Sequence, residues 1–92
     1  MPNTDILTAK ERAIQQGLSP ACLLPFAQGW ESPSPQDVRI ILQMATLTEH
    51  KAGVYVGLDQ RTIRRWKSGT TAPSYAGWCL LVYAAGLGMI PG

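Results

Sequence analysis

The stretch VGLDQRTIRRWKSG, residues 56–69, carries four of the eight basic residues of this 92-residue chain. It also carries Ile63 and Trp66, which are expected in a core, whereas clustered cations are expected to face water or an anion. A helix separates the two sets, because at about 100° per residue Ile63 and Trp66 lie about 60° apart. The opposite arc, about 140° wide, holds four polar side chains, Gln60, Arg61, Arg64 and Arg65. The stretch therefore predicts an amphipathic helix over residues 60–67.

The residues on both sides of this helix predict a helix-turn-helix. Asp59 can cap its start and Gly69 can follow its end. A preceding helix is predicted over residues 49–56, capped by Thr48 and ended by Gly57. In such a pair the second helix enters the major groove of duplex DNA, where arginine and glutamine are well shaped to contact guanine and adenine edges. We therefore predict a DNA-binding protein whose base-contacting residues are Gln60, Arg61, Arg64 and Arg65.

The distribution of charge supports the same prediction. The net charge is only +2, which does not by itself indicate nucleic acid. Residues 51–67, however, contain five basic side chains and one acid, so the net charge of this segment is +4 and that of the remaining chain is −2. Focused positive charge is expected of a phosphate-binding surface. The alternative interpretation is a solvated basic face on some other helical domain.

Helical signals also cover much of the remaining chain. Residues 4–16 predict a helix, and one short turn is expected after Ser19. Ser34 can cap a further helix, in which apolar residues recur at the spacing of one helix face: Val38, Ile41, Leu42 and Ala45. A last helix is predicted over residues 75–86. Because no strand signal appears, the predicted fold class is all-α, a compact bundle of four to six helices.

A Pro- and Ser-rich stretch, GWESPSP at residues 29–35, predicts a linker. It divides the chain into an N-terminal helical extension with its linker, residues 1–33, and a helix-turn-helix DNA-binding domain, residues 34–92. The motif itself spans about residues 48–67, and an apolar C-terminal helix follows it. Three roles are open for the extension: a dimerisation arm, a cover for the core, or a flexible tail.

The stretch TEHKAGVYVGLDQRTIRRWKSGTTAP, residues 48–73, resembles the helix-turn-helix of the Cro/C1-type (XRE-like, lambda-repressor-like) regulators of phages and plasmids. The resemblance covers about residues 34–88 and rests on the whole spacing rather than on one pair of residues. The features that match the family's motif are a helix cap, a small residue, a turn glycine followed by an apolar residue, and an apolar pair. The positions that would form the structural core of the motif are Gly53, Gly57, Leu58, Ile63 and Trp66.

The resemblance implies a transcriptional repressor that binds a palindromic operator in double-stranded DNA. The family's base-reading positions match Gln60, Arg61 and Arg65. Arg64 lies on the same face, where either a base or a phosphate is within its expected reach. Glu49 departs from the family's frequent glutamine, and because an acid would repel a phosphate, His50 or Lys51 is expected to make that contact instead. The phosphate-contacting candidates are Thr48, His50, Lys51, Thr62, Lys67, Ser68 and Thr70.

The C-terminal helix predicts a second interaction surface. The last 25 residues, from Ser68 onward, contain no charged side chain. A small domain seldom exposes so much apolar surface, so we predict a homodimer, which also suits a palindromic site. The candidate interface residues are Trp78, Leu81, Val82, Leu87, Met89 and Ile90. The alternative is that the N-terminal segment covers this apolar face within one monomer.

Several other classes of protein are not expected. Cys22 and Cys79 form neither a disulfide framework nor a zinc spacing, and His50 has no evident catalytic partners, so neither a metal, a cofactor nor an enzyme is predicted. The N-terminus lacks the basic region of a signal peptide, and the apolar run 76–90 is too short to span a membrane, so a cytoplasmic protein is expected. Two alternative functions stay open: an antitoxin-like protein-interaction module, and a DNA-binding subunit for replication or recombination.

Overall fold

A computed structural model describes residues 8–88 and 90 of the chain, and this part is all-α, with no strand. Two 3₁₀ turns, Pro20–Leu23 and Phe26–Gln28, lie between the first and second helices. The predicted fold class is therefore confirmed. The α-helices are α1 (Ala9–Gln15), α2 (Pro35–Ala45), α3 (Glu49–Val56), α4 (Gln60–Ser68) and α5 (Tyr75–Ala84).

Each helix begins at a side chain that accepts a hydrogen bond from the first turn. The caps are Thr8, Ser34, Thr48, Asp59 and Ser74. The predicted caps of α2, α3 and α4 are thus confirmed. The helix predicted to begin near residue 4 starts instead at Ala9, because Thr8 has extended backbone angles (φ −63°, ψ 160°) and shares a capping box with Glu11. Residues 4–7 lie outside the described part of the chain.

One apolar core joins α4 to the other helices and to the N-terminal segment. Ile63 and Trp66, the two apolar anchors of α4, are buried in it. Gly77 of α5 makes room for Trp66, since an added Cβ there would lie 2.9 Å from the indole. The remaining core side chains include Ala13, Leu18, Cys22, Leu23, Val38, Ile41, Ala52, Trp78, Leu81 and Val82. Residues on both sides of the linker therefore share one core.

Hydrogen bonds hold the N-terminal segment on α2 and α5. The indole of Trp78 donates to the carbonyl of Cys22 at 2.8 Å, and the indole of Trp30 donates to the same carbonyl at 3.0 Å. The buried carboxylate of Asp37 accepts from the backbone N–H of Ser19 at 3.0 Å and from that of Ser34 at 2.9 Å. Of the three roles considered for the extension, residues 8–33 take that of a cover for the core.

Because the N-terminal segment covers one side of α5, part of the predicted dimer interface is wrong. Trp78, Leu81 and Val82 are at most 1% exposed, so they pack inside the monomer and are not available to a second copy. Leu87 and Ile90 are partly buried against the same core, and Met89 lies outside the described residues. Helix α5 is apolar on all sides, and its buried side could not be identified before the N-terminal segment was placed.

The burial of Cys22 gives a direct chemical test of this docking. Burial, with a further contribution from the charge of Asp37, raises the pKa of the Cys22 thiol to about 12. Because the thiolate is the nucleophile, we expect iodoacetamide to alkylate Cys22 at least roughly 100-fold more slowly in the native chain than in urea. Peptide mass spectrometry reads Cys22 and Cys79 separately. Similar native and denatured rates at Cys22 would show that the N-terminal segment is not docked.

Candidate nucleic-acid interface

Helices α3 and α4 approach each other closely at the glycine positions predicted for a helix-turn-helix. A Cβ added to Gly53 would lie 2.6 Å from the carbonyl oxygen of Leu58, closer than real Cβ contacts allow. Gly57 ends α3 with φ of 79°, a backbone conformation that favours glycine. The N–H of Leu58 donates to the carbonyl of Gly53 at 2.8 Å, which closes the turn. The angle between the two helices is therefore fixed by backbone contacts.

The structure corrects one residue of the predicted motif core, Leu58. Its side chain is 40% exposed, and only its backbone takes part in the close approach to Gly53. Gly57 likewise contributes through its conformation, because an added Cβ would meet nothing within 4 Å. The buried side-chain anchors of the motif are Ile63 and Trp66, as predicted.

The polar face of α4 points away from the core. Ile63 is 0% and Trp66 4% exposed, whereas the four side chains of the opposite arc are all exposed. The carboxylate of Asp59 caps the helix by accepting from the Thr62 N–H at 2.8 Å. We call this exposed surface the arginine face, and its members are Gln60, Arg61, Arg64 and Arg65.

One member of the arginine face has a partner on α3. Glu49 Oε1 accepts from Arg64 Nε at 3.1 Å, and Glu49 Oε2 lies 3.1 Å from Lys67 Nζ. Hydrogen bonds from Lys67 and Arg64 hold the pKa of the Glu49 carboxyl below its ordinary value, so the acid is charged at neutral pH. The sequence predicts Glu49 only as a poor phosphate contact, because a pairing across 15 and 18 residues depends on the tertiary structure.

The candidate phosphate-contacting residues other than Thr62 lie near the start of α3 and around the C-terminal end of α4. Thr48 caps α3 by accepting from the Lys51 N–H at 3.1 Å, and the side chains of His50 and Lys51 are exposed beside it. Beyond the end of α4, the hydroxyls of Ser68 and Thr70 lie 2.8 Å apart.

Two side chains near α4 make hydrogen bonds that the sequence does not predict. The hydroxyl of Thr62 donates to Asp59 at 3.0 Å, so its proton belongs to the cap rather than to a phosphate. Arg39 of α2, which the sequence did not single out, donates to the carbonyl of Lys67 at 2.7 Å. That bond ties the C-terminal end of α4 to α2. The sequence pattern of α2 does not predict this hydrogen bond, because the bond joins residues that are 28 positions apart.

An apolar groove of about 550 Å³ lies on another face of the molecule, between α3 and α5. Leu80 and Tyr83 of α5 are 44% and 55% exposed, and Tyr55 of α3 is 43% exposed. The remaining lining residues are Tyr75, Ala76, Cys79 and Ile90. The side of α5 that the core leaves uncovered therefore runs along Ala76, Cys79, Leu80 and Tyr83.

The described residues show neither a metal centre nor a membrane span. No three or more of their His, Cys, Asp and Glu side chains are grouped so that they could hold a metal ion. None of the five helices is long and apolar enough to cross a membrane.

Two proteins from Escherichia coli, both named transcriptional repressor protein KorC, are similar to this chain. One is 47% and the other 38% identical over 72 residues, and each match covers 75% of this chain and 84% of the relative. No protein-family model matches the chain, and no solved structure matches it with significance, so the resemblance to Cro/C1-type regulators stays a prediction. Both names describe a regulator of transcription rather than an enzyme. At this identity and coverage, the chain belongs to the KorC family of transcriptional repressors.

Proposed function

We propose that this protein represses transcription by placing α4 in the major groove of a specific duplex, where it occludes a promoter. The observation that carries the proposal is the arginine face, which is exposed opposite the buried Ile63 and Trp66. Support also comes from Gly53, whose backbone contact holds α4 against α3. A helix presented in this way fits the major groove, and its side chains match base edges.

The side chains on α4 and those around it are proposed to take different roles. Gln60 and Arg61 in the first turn and Arg65 one turn later are proposed to contact bases, because arginine and glutamine make paired hydrogen bonds to guanine and adenine. The exposed side chains near the start of α3 and after α4 are proposed to contact phosphates, which position the helix without reading sequence. These phosphate-contacting candidates are Thr48, His50, Lys51, Lys67, Ser68 and Thr70.

We further propose that two copies of the chain bind a palindromic operator, and that they associate through the groove between α3 and α5. The groove is lined by exposed apolar side chains, and no charged residue occurs from residue 68 onward. A surface without charges suits a symmetric contact, because each patch meets its own copy and like charges would repel. A dimer places two recognition helices about one helical turn of DNA apart.

Leu80→Lys is expected to convert the dimer into a monomer, since an unpaired ammonium in an apolar interface carries a large desolvation penalty. Sedimentation equilibrium measures the change in mass. Leu24→Lys is the matched control, because Leu24 is 39% exposed and lies outside the groove lining. A wild-type chain that sediments as a monomer, or a Leu80→Lys variant that stays dimeric, would contradict this dimer.

Selection of bound duplexes from a random DNA pool tests the function. The selected duplex is then titrated at two salt concentrations. The proposal predicts an enriched palindrome and an affinity that falls steeply with salt, as expected when several cations displace counterions. Weak, salt-sensitive binding with no enriched sequence would contradict sequence-specific repression. It would favour the second candidate, a protein-interaction module, for which the exposed groove is the supporting observation.

A further inference from the structure

Glu49 connects the start of α3 to two cations of the DNA-binding surface. Its carboxylate contacts Arg64 and Lys67, each at 3.1 Å. The Glu49 side chain is 22% exposed, against 61% for Arg64 and 34% for Lys67. The acid is therefore less exposed than either cation, and both cations can still reach solvent.

The hydrogen bond to Glu49 leaves one edge of the Arg64 guanidinium, that of the two terminal nitrogens, available to contact DNA. Glu49 accepts from the Nε atom, and among the described residues the two terminal nitrogens of Arg64 have no hydrogen-bond partner. Because the guanidinium is planar and rigid, fixing Nε also fixes the direction of the terminal fork. That fork is the edge that makes paired hydrogen bonds to O6 and N7 of guanine.

The same carboxylate changes the electrostatics of the surface. Arg64 and Lys67 carry two positive charges, and Glu49 cancels one of them. Binding to random DNA depends mainly on how many phosphates the protein neutralises. An acid bonded to two of the cations therefore weakens binding to every sequence, whereas a correctly placed arginine fork strengthens binding to one sequence.

We propose that Glu49 is a positioning residue that sets sequence discrimination: it presents the terminal fork of Arg64 to a base pair and suppresses binding to random DNA. This inference rests on the proposed function. It assigns to Glu49 a role in selecting the operator rather than in strengthening binding, and it assigns Arg64 to base contact rather than phosphate contact.

Glu49→Gln tests the inference, because the amide keeps the size of the side chain and one acceptor oxygen but removes the charge. We expect affinity for a random duplex to rise severalfold, with a salt dependence steeper by about one phosphate contact. We expect the ratio of selected to random affinity to fall about tenfold. Repeating the pool selection with the variant should relax the preference at one base pair of each half-site.

Glu31→Gln is the matched control. It removes the same charge from the linker, where Glu31 forms no ion pair with another described residue. Thermal unfolding checks that Glu49→Gln still folds, as expected since partly exposed ion pairs contribute little to stability. The control should leave the affinity ratio unchanged.

The outcomes separate this inference from the proposed function. If the wild-type chain enriches no sequence, the proposed function fails before any variant is compared. If the wild type selects an operator and Glu49→Gln discriminates as well as Glu31→Gln does, the function stands and the role of Glu49 is overturned. A variant that loses affinity equally for selected and random duplexes would also overturn it, because Glu49 would then only hold the fold.

Discussion

Gly53→Ala is expected to destabilise the folded chain and to move α4 away from α3. Alanine normally stabilises a helix by about 1 kcal/mol relative to glycine. Here its methyl would lie 2.6 Å from the carbonyl oxygen of Leu58 and 3.1 Å from the carbonyl carbon of Asp59, so backbone must shift. Overpacking against backbone atoms is expected at the upper end of the usual range, about 2–3 kcal/mol, so that after the gain in helix propensity a net loss of about 1–2 kcal/mol remains.

Thermal unfolding followed by circular dichroism measures this loss. In a domain of this size, 1 kcal/mol lowers Tm by about 4–8 °C. Gly57→Asn is the matched control at the other end of the same turn, because Gly57 has positive φ but open space around it, and asparagine tolerates that conformation. A Gly53→Ala variant as stable as the wild type would contradict the close contact between α3 and the turn.

Arg61→Ala and Arg65→Ala are each expected to weaken binding to the selected duplex by about 1–3 kcal/mol. Both side chains are exposed on the arginine face, and truncating them does not disturb the buried anchors. If each arginine contacts a base, its loss removes discrimination at that position. Binding to a random duplex should fall much less, because only one charge has been removed.

Titration of the selected and a random duplex with each variant gives the two affinities. Lys51→Ala is the control for charge alone, since Lys51 is an exposed phosphate candidate on α3. It should weaken binding to both duplexes alike and reduce the salt dependence by about one contact. Equal losses on both duplexes for Arg61→Ala and Arg65→Ala would show that these arginines contact phosphates only.

The parts of the fold that sequence predicted well are those decided by local interactions. The caps Ser34, Thr48 and Asp59 act within one helical turn, and the spacing of Ile63 and Trp66 fixes the buried side of α4. These features depend on neighbours in the chain, so the chain alone reveals them.

Features that depend on distant contacts were missed or misplaced. Helix α5 is apolar all round, so its pattern could not tell the buried Trp78 from the exposed Tyr83 before the N-terminal segment was in place. The pairing of Glu49 with Arg64 and Lys67 depends on the angle between α3 and α4. The predicted DNA contacts of the arginine face, of the start of α3 and of the residues around the end of α4 stay predictions.

Mapping the DNA-bound surface by NMR shows whether α4 is the helix that enters the major groove. The ¹⁵N-labelled chain would be titrated with the selected duplex and the change in each backbone amide followed. We predict the largest changes in residues 60–71 and at the start of α3, residues 48–51. Changes concentrated in α5 and the groove, with α4 unaffected, would contradict the account, because the duplex would then lie on a different face of the molecule.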